Sequence, residues 1–258
     1  MAPASSPPEI IPAATVIIFR QPAPGGPPEL LMVERAQTMR FAGGAAVFPG
    51  GRIDLSDREL AHHHALPAHD DADDAPARIA AIRETLEETG LALGIDRAVS
   101  ATEAEEARRL LLAEGALAPV LAHMGWTLHP ERLVPFARWC PMHPRSFDTR
   151  FYLADLGRGA VELSADLTEN SRLFWTTAAD ALASADRGEI TIIYPTRRNL
   201  ERLALYGNFA EACAQASAVP VRMITPRPVE IDGERWLTIP EGLGYPVTRQ
   251  MMATVKRG

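Results

Sequence analysis

Cysteine is scarce in this chain. Cys140 and Cys213 are the only two, which excludes a disulfide framework and a thiolate metal cage and leaves two buried thiols as the expectation. No run reaches the roughly 18 apolar residues that a membrane helix needs. Basic residues are not in excess. The formal net charge is −7, so the bulk electrostatics of a nucleic-acid binder are missing. The N-terminus lacks a basic segment followed by a long apolar stretch, which argues against a signal peptide. No internal repeat is evident. A cytoplasmic protein that engages neither membrane nor nucleic acid is the resulting expectation. What the chain does have is apolar mass: 258 residues, 47% hydrophobic, enough for one large domain or one domain with an insertion.

Residues 1–12 are rich in Pro, Ala and Ser and read as a disordered tail, leaving 13–258 as a single domain. Thr15-Val16-Ile17-Ile18-Phe19 reads as a strand, residues 21–28 as a Pro/Gly turn, and 29–34 as the partner strand. Residues 35–44 read as a loop, and 45–48 as a short strand ended by Pro49. Residues 55–75 carry His62, His63, His64, His69, Asp70, Asp71, Asp73 and Asp74, and read as a solvated insertion loop rather than a metal cluster.

The clearest helix runs from about 77 to 89. Pro76 suits its first turn, Asp73 or Asp74 its cap, and Gly90 a left-handed stop. Ile79, Ile82 and Leu86 form its apolar stripe at steps of three and four. Residues 103–123 form a second helical region, with breaks near Gly115 and Pro119. Residues 132–140 and 149–156 read as paired strands and 173–175 as a short one. Residues 178–185 and 196–216 read as helices, and 221–224 and 236–239 as strand pieces. Strands around few helices, without a pure βαβ rhythm, predict an α/β sandwich.

The chemistry concentrates in Arg83-Glu84-Thr85-Leu86-Glu87-Glu88-Thr89-Gly90. Glu84 and Glu87 are three apart and Glu84 and Glu88 four apart, so all three share a helix side away from the apolar stripe, facing solvent. Like charges so placed cost roughly 0.2–0.5 kcal/mol per pair, and a cation relieves that. Mg²⁺ or Mn²⁺ suits such oxygen donors and is completed by substrate phosphates. Arg83, four residues before Glu87, is placed to brace it. Upstream, Gly50 and Gly51 in Phe48-Pro49-Gly50-Gly51 let the backbone turn sharply and approach a metal, with the Gly51 carbonyl as an extra ligand. The bland account is a Glu-rich helix end beside an ordinary turn.

These residues resemble the Nudix hydrolase signature: Gly, five residues, Glu, seven residues, then Arg-Glu-apolar-any-Glu-Glu-any-Gly-apolar. Gly51 matches its first glycine, and Arg83, Glu84, Glu87, Glu88, Gly90 and Leu91 its second half. Thr85 stands where an aliphatic residue is usual. Asp57 occupies the first glutamate position, and 25 residues rather than seven separate it from Arg83, an insertion of 18. Asp74 competes for that first acidic role.

A second pattern, Arg35-Ala36, Arg40, Gly44 and Phe48-Pro49-Gly50-Gly51, resembles the coenzyme A diphosphatase branch. Phe136-Ala137-Arg138-Trp139, Arg145-Ser146-Phe147-Asp148-Thr149-Arg150-Phe151-Tyr152 and Pro195-Thr196-Arg197-Arg198-Asn199-Leu200 are similar to its long, insertion-bearing peroxisomal type.

The resemblance implies a Nudix-type α/β/α sandwich with a mixed sheet and an insertion after the glycine loop. It implies metal-dependent cleavage of the diphosphate of coenzyme A or an acyl-coenzyme A, giving 3′,5′-ADP and (acyl) 4′-phosphopantetheine. Gly51, Glu84, Glu87 and Glu88 would hold Mg²⁺ or Mn²⁺, and Glu84, Glu88 and Arg83 would be catalytic. Arg35, Arg40, Gly50, Arg145 and Arg150 would bind substrate. The base is left open between Glu84, Glu88 and a loop acid such as Glu162 or Asp166. Asp148 is either a rim residue or a structural partner of Arg138 or Arg150, and Phe136 and Trp139 read as core before base-stacking residues. An ADP-sugar, NADH or an oxidised nucleotide are alternative substrates, and a catalytically silent nucleotide-binding regulatory module is the alternative outside enzymes. A homodimer is the starting expectation for assembly.

Overall fold

The computed structural model describes residues 9–38, 42–64, 71–141, 145–156 and 170–256. Strand β1 (Glu9–Arg20) is the organising element. Between Ala13 and Phe19 nearly every side chain is buried, because the strand lies between two helical layers and has no solvent face. One edge pairs in parallel with β6 (Arg145–Asp155) from Glu9↔Arg145 to Phe19↔Asp155. The other edge is shared. Ala13, Ala14 and Thr15 pair antiparallel with β4 (Gly50–Arg52), and Phe19 and Arg20 with β2 (Glu29–Arg35). Strands β3 (Ala46–Val47) and β7 (Asn170–Thr177) border β2, while β5 (Val134–Trp139) and β8 (Met223–Ile224) extend the sheet beyond β6. Among the described residues this makes a mixed sheet of eight strands. Strands β9 (Arg227–Ile231), β10 (Glu234–Thr238) and β11 (Arg249–Met251) form a separate antiparallel sheet.

Helices cover both faces. On one, α2 (Asp74–Thr89), α3 (Ala101–Glu114) and α4 (Leu117–Met124) pack against Val16, Ile18, Leu31 and Tyr152. On the other, α5 (Ala178–Asp186), α6 (Tyr194–Leu203) and α7 (Phe209–Ala218) pack against Ile17, Phe19, Met32 and Trp139. Each large side chain buried this way contributes roughly 1.5–3 kcal/mol. The architecture is the expected α/β/α sandwich. No helix among the described residues is long and apolar enough to cross a membrane.

Several local expectations are corrected. Residues 9–12 belong to β1 rather than to a tail, because β6 supplies their pairing. The insertion opens with a helix, α1 (Leu55–Ala61), not a solvated loop, and Asp57 within it is fully buried. Helix α2 starts at Asp74, with Pro76 in its first turn. Neither candidate cap acts as one. Asp73 makes no side-chain cap bond and pairs with Arg58, while Asp74 bonds Arg78 at 2.7 Å. Pro119 does not break a helix. It lies in the first turn of α4, where a missing N–H costs nothing. The long helix expected over 196–216 is two, because Asn208 accepts from the Glu211 N–H and caps a new start.

Candidate active site

The apolar stripe of α2 behaves as its spacing requires. Ile79, Ile82 and Leu86 are buried against the sheet, and Gly90 ends the helix at φ +74° with its N–H on the Leu86 carbonyl, 3.0 Å away. Thr85, at the position where the signature has an aliphatic residue, is fully buried. Its hydroxyl donates back to the Ala81 carbonyl at 2.7 Å, which makes it tolerable in an apolar setting.

The three glutamates are not a solvated face. Glu88 is 4% exposed, and the Glu84 and Glu87 side chains are 16% and 35% exposed. The cause is β4, which lies across the end of the helix. The Gly50 N–H donates to Glu88 Oε2 at 2.9 Å. Gly50 has φ +154°, and a Cβ there would meet the Ala14 carbonyl oxygen at 2.2 Å. A Cβ on Gly51 would lie 2.3 Å from the Glu84 carboxylate. Only glycine lets this backbone come so close.

Arg83 anchors the arrangement. It donates from Nε and Nη2 to the two carboxylate oxygens of Asp57, both at 2.9 Å, and from Nη2 to the Arg52 carbonyl at 2.9 Å. Its Nη1 donates to Glu84 at 2.9 Å and lies 3.7 Å from Glu87. The brace expected for Glu87 therefore acts mainly on Glu84. Burial works against the Arg83 charge, but the Asp57 bonds and the charges of Glu84, Asp57 and Asp54 outweigh it and raise the pKa. Burial pushes the Glu84 carboxyl up to about 7, opposed by Arg83 and helped by Glu87. Burial, with the charge of Glu84, pushes Glu88 up to about 8.

A cleft of about 620 Å³ opens beside this corner, and Gly50, Gly51, Glu84, Glu87 and Arg35 line its polar side. Trp139, Phe147, Phe151 and Ile193 form an apolar wall. Sequence reasoning missed Phe147 and Phe151 as lining residues and favoured Arg150. Strand alternation separates them, since Phe147, Thr149 and Phe151 reach the cleft and Arg150 does not. Arg150 is buried on the α2 side, bonded twice to Asp71 at 2.7 Å. Asp148 is a structural partner, receiving two bonds from Arg138 at 2.8 and 2.6 Å. Arg145 opens β6 opposite Glu9, while Arg40, Glu162 and Asp166 lie outside the described residues. Trp139 is both core and cleft wall, and its indole N–H donates to the Tyr245 hydroxyl at 3.1 Å. Asp57, at the first acidic position of the signature, is paired with Arg83, while Asp74 is engaged with Arg78 and Tyr152.

A crystal structure of a NUDIX hydrolase from Alicyclobacillus acidocaldarius is similar to this chain at 31% identity and a TM-score of 0.69, covering 81% of this chain and 97% of that one. The chain belongs to the Nudix hydrolases. A Caenorhabditis elegans protein, "Putative nudix hydrolase 7", is 24% identical over 212 residues, which is 81% of this chain; the match spans 66% of the worm protein's length. No family model matches the chain.

Nudix enzymes typically use a divalent metal. Among the described residues, no three acidic, His or Cys side chains converge closely enough to ligate one ion together in their present rotamers. The chemistry of the donors, as distinct from their placement, suits such an ion. Glu84 is close enough to Glu87 and to Glu88 for their charges to act on one another, and the Gly51 backbone approaches Glu84 so closely that no side chain fits between. Hard oxygen donors with surplus negative charge are what Mg²⁺ and Mn²⁺ take.

Proposed function

We propose that the protein hydrolyses the diphosphate bond of coenzyme A or an acyl-coenzyme A. Glu84, Glu87, Glu88 and the Gly51 carbonyl would hold Mg²⁺ or Mn²⁺, which when bound polarises phosphate oxygens and acidifies a bound water. Water oxygen adds to one phosphorus and the bridging P–O bond breaks. The products are 3′,5′-ADP and (acyl) 4′-phosphopantetheine. Glu84 is the favoured proton acceptor because it lines the cleft, whereas Glu88 is tied to Gly50 behind it. Arg83 Nη1 donates to one oxygen of the Glu84 carboxylate and holds it beside the cleft.

One observation carries the choice of substrate. The run Arg35-Ala36, Arg40, Gly44, Phe48-Pro49-Gly50-Gly51 has the coenzyme A diphosphatase spacing. Arg35 from its start and the glycines from its end line the same cleft. Guanidinium groups suit the phosphates of that substrate, and the wall of Trp139, Phe147 and Phe151 suits its apolar and aromatic parts.

The test is hydrolysis of a panel with Mg²⁺ or Mn²⁺: coenzyme A, acetyl-coenzyme A, ADP-ribose, NADH and an oxidised nucleoside triphosphate, with products resolved by chromatography. Coenzyme A and its acyl ester turning over fastest, to the two products named, is expected. Faster turnover of ADP-ribose, NADH or the oxidised nucleotide overturns the substrate assignment. Tight binding with no turnover of any compound overturns the enzyme reading in favour of a nucleotide-binding module.

A further inference from the structure

We propose that the first turn of α6 is a phosphate subsite of the cleft, with the Thr196 hydroxyl and N–H as donors, and that it takes the phosphate monoester of the substrate lying outside the scissile diphosphate. The assignment to that phosphate rests on the coenzyme A reading above. Helix α6 carries the run Pro195-Thr196-Arg197-Arg198-Asn199-Leu200, and its start is aimed at the cleft, which Ile193, Pro195 and Thr196 line. It is held there from two sides. Ile193 packs with Ala42, Ala45 and Val47, and the Tyr194 ring meets Trp139 edge-on at 6.1 Å. The first turn has no side-chain cap, because Ile193 stands at the cap position and offers no acceptor. The Tyr194 N–H donates to the Lys256 carbonyl at 3.3 Å, Pro195 has no N–H, and the Arg197 N–H donates to the Ile193 carbonyl at 3.0 Å. That leaves the Thr196 N–H, which finds no acceptor among the described residues.

The side chain of the same residue points to a ligand independently. Thr196 is 3% exposed and lines the cleft, yet its hydroxyl makes no hydrogen bond among the described residues. A buried helical threonine commonly donates back one turn, as Thr85 does to the Ala81 carbonyl and Thr89 to the Thr85 carbonyl. Thr196 does not, so its hydroxyl is left for whatever enters the cleft. A buried hydroxyl without a partner is costly, and a ligand oxygen relieves both it and the N–H. The positive end of the helix selects an anionic oxygen. The charges of the cleft agree. Its lining carboxylates, Asp54, Glu84 and Glu87, belong to α2 and to the start of α1, and none comes from α6. Helices α2 and α6 pack on opposite faces of the sheet, so a phosphate at Thr196 is a different group from those that a metal on Glu84 and Glu87 would hold. A nucleotide with phosphates in two places, its base on the wall of Trp139, Phe147 and Phe151, matches all three features.

The experiment is calorimetric binding of 3′,5′-ADP and of 5′-AMP to the full chain with Mg²⁺ present. The variants are Thr196→Val, which keeps the shape and the N–H but removes the hydroxyl, and Thr196→Ser, which restores it. Thr196→Ala carries the test if Thr196→Val does not fold. The parent is expected to bind 3′,5′-ADP more tightly than 5′-AMP. Thr196→Val should weaken 3′,5′-ADP by about tenfold and 5′-AMP by less than about twofold, with Thr196→Ser close to the parent. Equal losses on the two nucleotides, no loss on either, or a parent that does not bind 3′,5′-ADP overturns the subsite. Hydrolysis separates its failure from that of the substrate reading. If coenzyme A is turned over and Thr196→Val binds both nucleotides as the parent does, the subsite falls and the activity stands. If coenzyme A is not turned over and 3′,5′-ADP binding still depends on Thr196, the substrate reading falls and the phosphate subsite stands without it.

Discussion

At the N-terminal end of α2 every described aspartate meets a guanidinium: Asp71 takes Arg150 and Arg138, Asp73 takes Arg58, and Asp74 takes Arg78. At the C-terminal end Glu84 and Glu87 share Arg83, which is already committed to Asp57 by two bonds. Both ends are crowded with acid and both are partly buried. The first end is neutralised from within the fold. Near the second, the pKa values of Glu84 and Glu88 rise to about 7 and about 8 because burial is not matched by cations of the protein. The difference separates the end of the helix that is neutralised by the fold from the end that, under the proposed function, would hold a cation.

Five measurements break or sharpen that contrast. The largest effect is expected from Arg83→Ala. It strands the fully buried Asp57, and removing one partner of a buried pair costs roughly 3–5 kcal/mol, read by denaturant unfolding. A loss below about 1 kcal/mol would show that Asp57 is held some other way. Next come Glu87→Gln and Glu88→Gln, expected to lower turnover by about 100-fold or more. Glu88→Gln should leave metal-free melting unchanged or higher, because it replaces a carboxyl whose charged form burial disfavours with a neutral group that still offers an acceptor to the Gly50 N–H. Normal turnover of both at saturating metal would sink the assignment of the acidic face. Gly51→Ala should fold, since the atom it meets is the end of the Glu84 side chain. It should also slow turnover about tenfold by displacing that carboxylate; melting and kinetics on the same sample decide it.

How much of this was legible in the sequence divides along the same helix. The stripe Ile79, Ile82, Leu86, the stop at Gly90 and the gathering of Glu84, Glu87 and Glu88 are local, and periodicity alone gives them. Their burial is not local. It depends on β4 pairing with β1, and nothing in 83–90 announces a strand lying across the helix end. The partner of Arg83 was hidden inside an insertion read as a loop, because a seven-residue helix gives too little period to detect. Arg150 was misplaced for a simpler reason. Strand alternation sends Phe147, Thr149 and Phe151 to the cleft and Arg150 and Tyr152 toward α2, and charge alone carries no sign of that.

The two smaller effects complete the series. Arg40→Ala is expected to weaken hydrolysis of coenzyme A about tenfold more than that of dephospho-coenzyme A, the scale of one charge-assisted bond to the 3′-phosphate. Equal loss on both removes that contact. The smallest is Asp71→Asn. The Arg150 bond, against burial and with Arg138 and the Asp73 N–H helping, lowers the Asp71 pKa below its ordinary 3.8. A carboxyl lowered by folding stabilises the protein above its unfolded pKa, and that contribution disappears as pH falls through the folded value. The parent should therefore lose stability faster than Asp71→Asn on acidification below about pH 4, where identical acid-unfolding curves would make the Asp71 network inconsequential.

The parallel alignment of residues 9–19 with 145–155 has a consequence for how the protein comes into being. Translation runs from N to C, so β1 is made long before β6, the neighbour it pairs with along its length, exists. Such distant closure makes for slow assembly. During that wait an unclaimed β edge is open to other nascent chains, so yield in a cell depends on what shelters β1 as much as on the finished molecule.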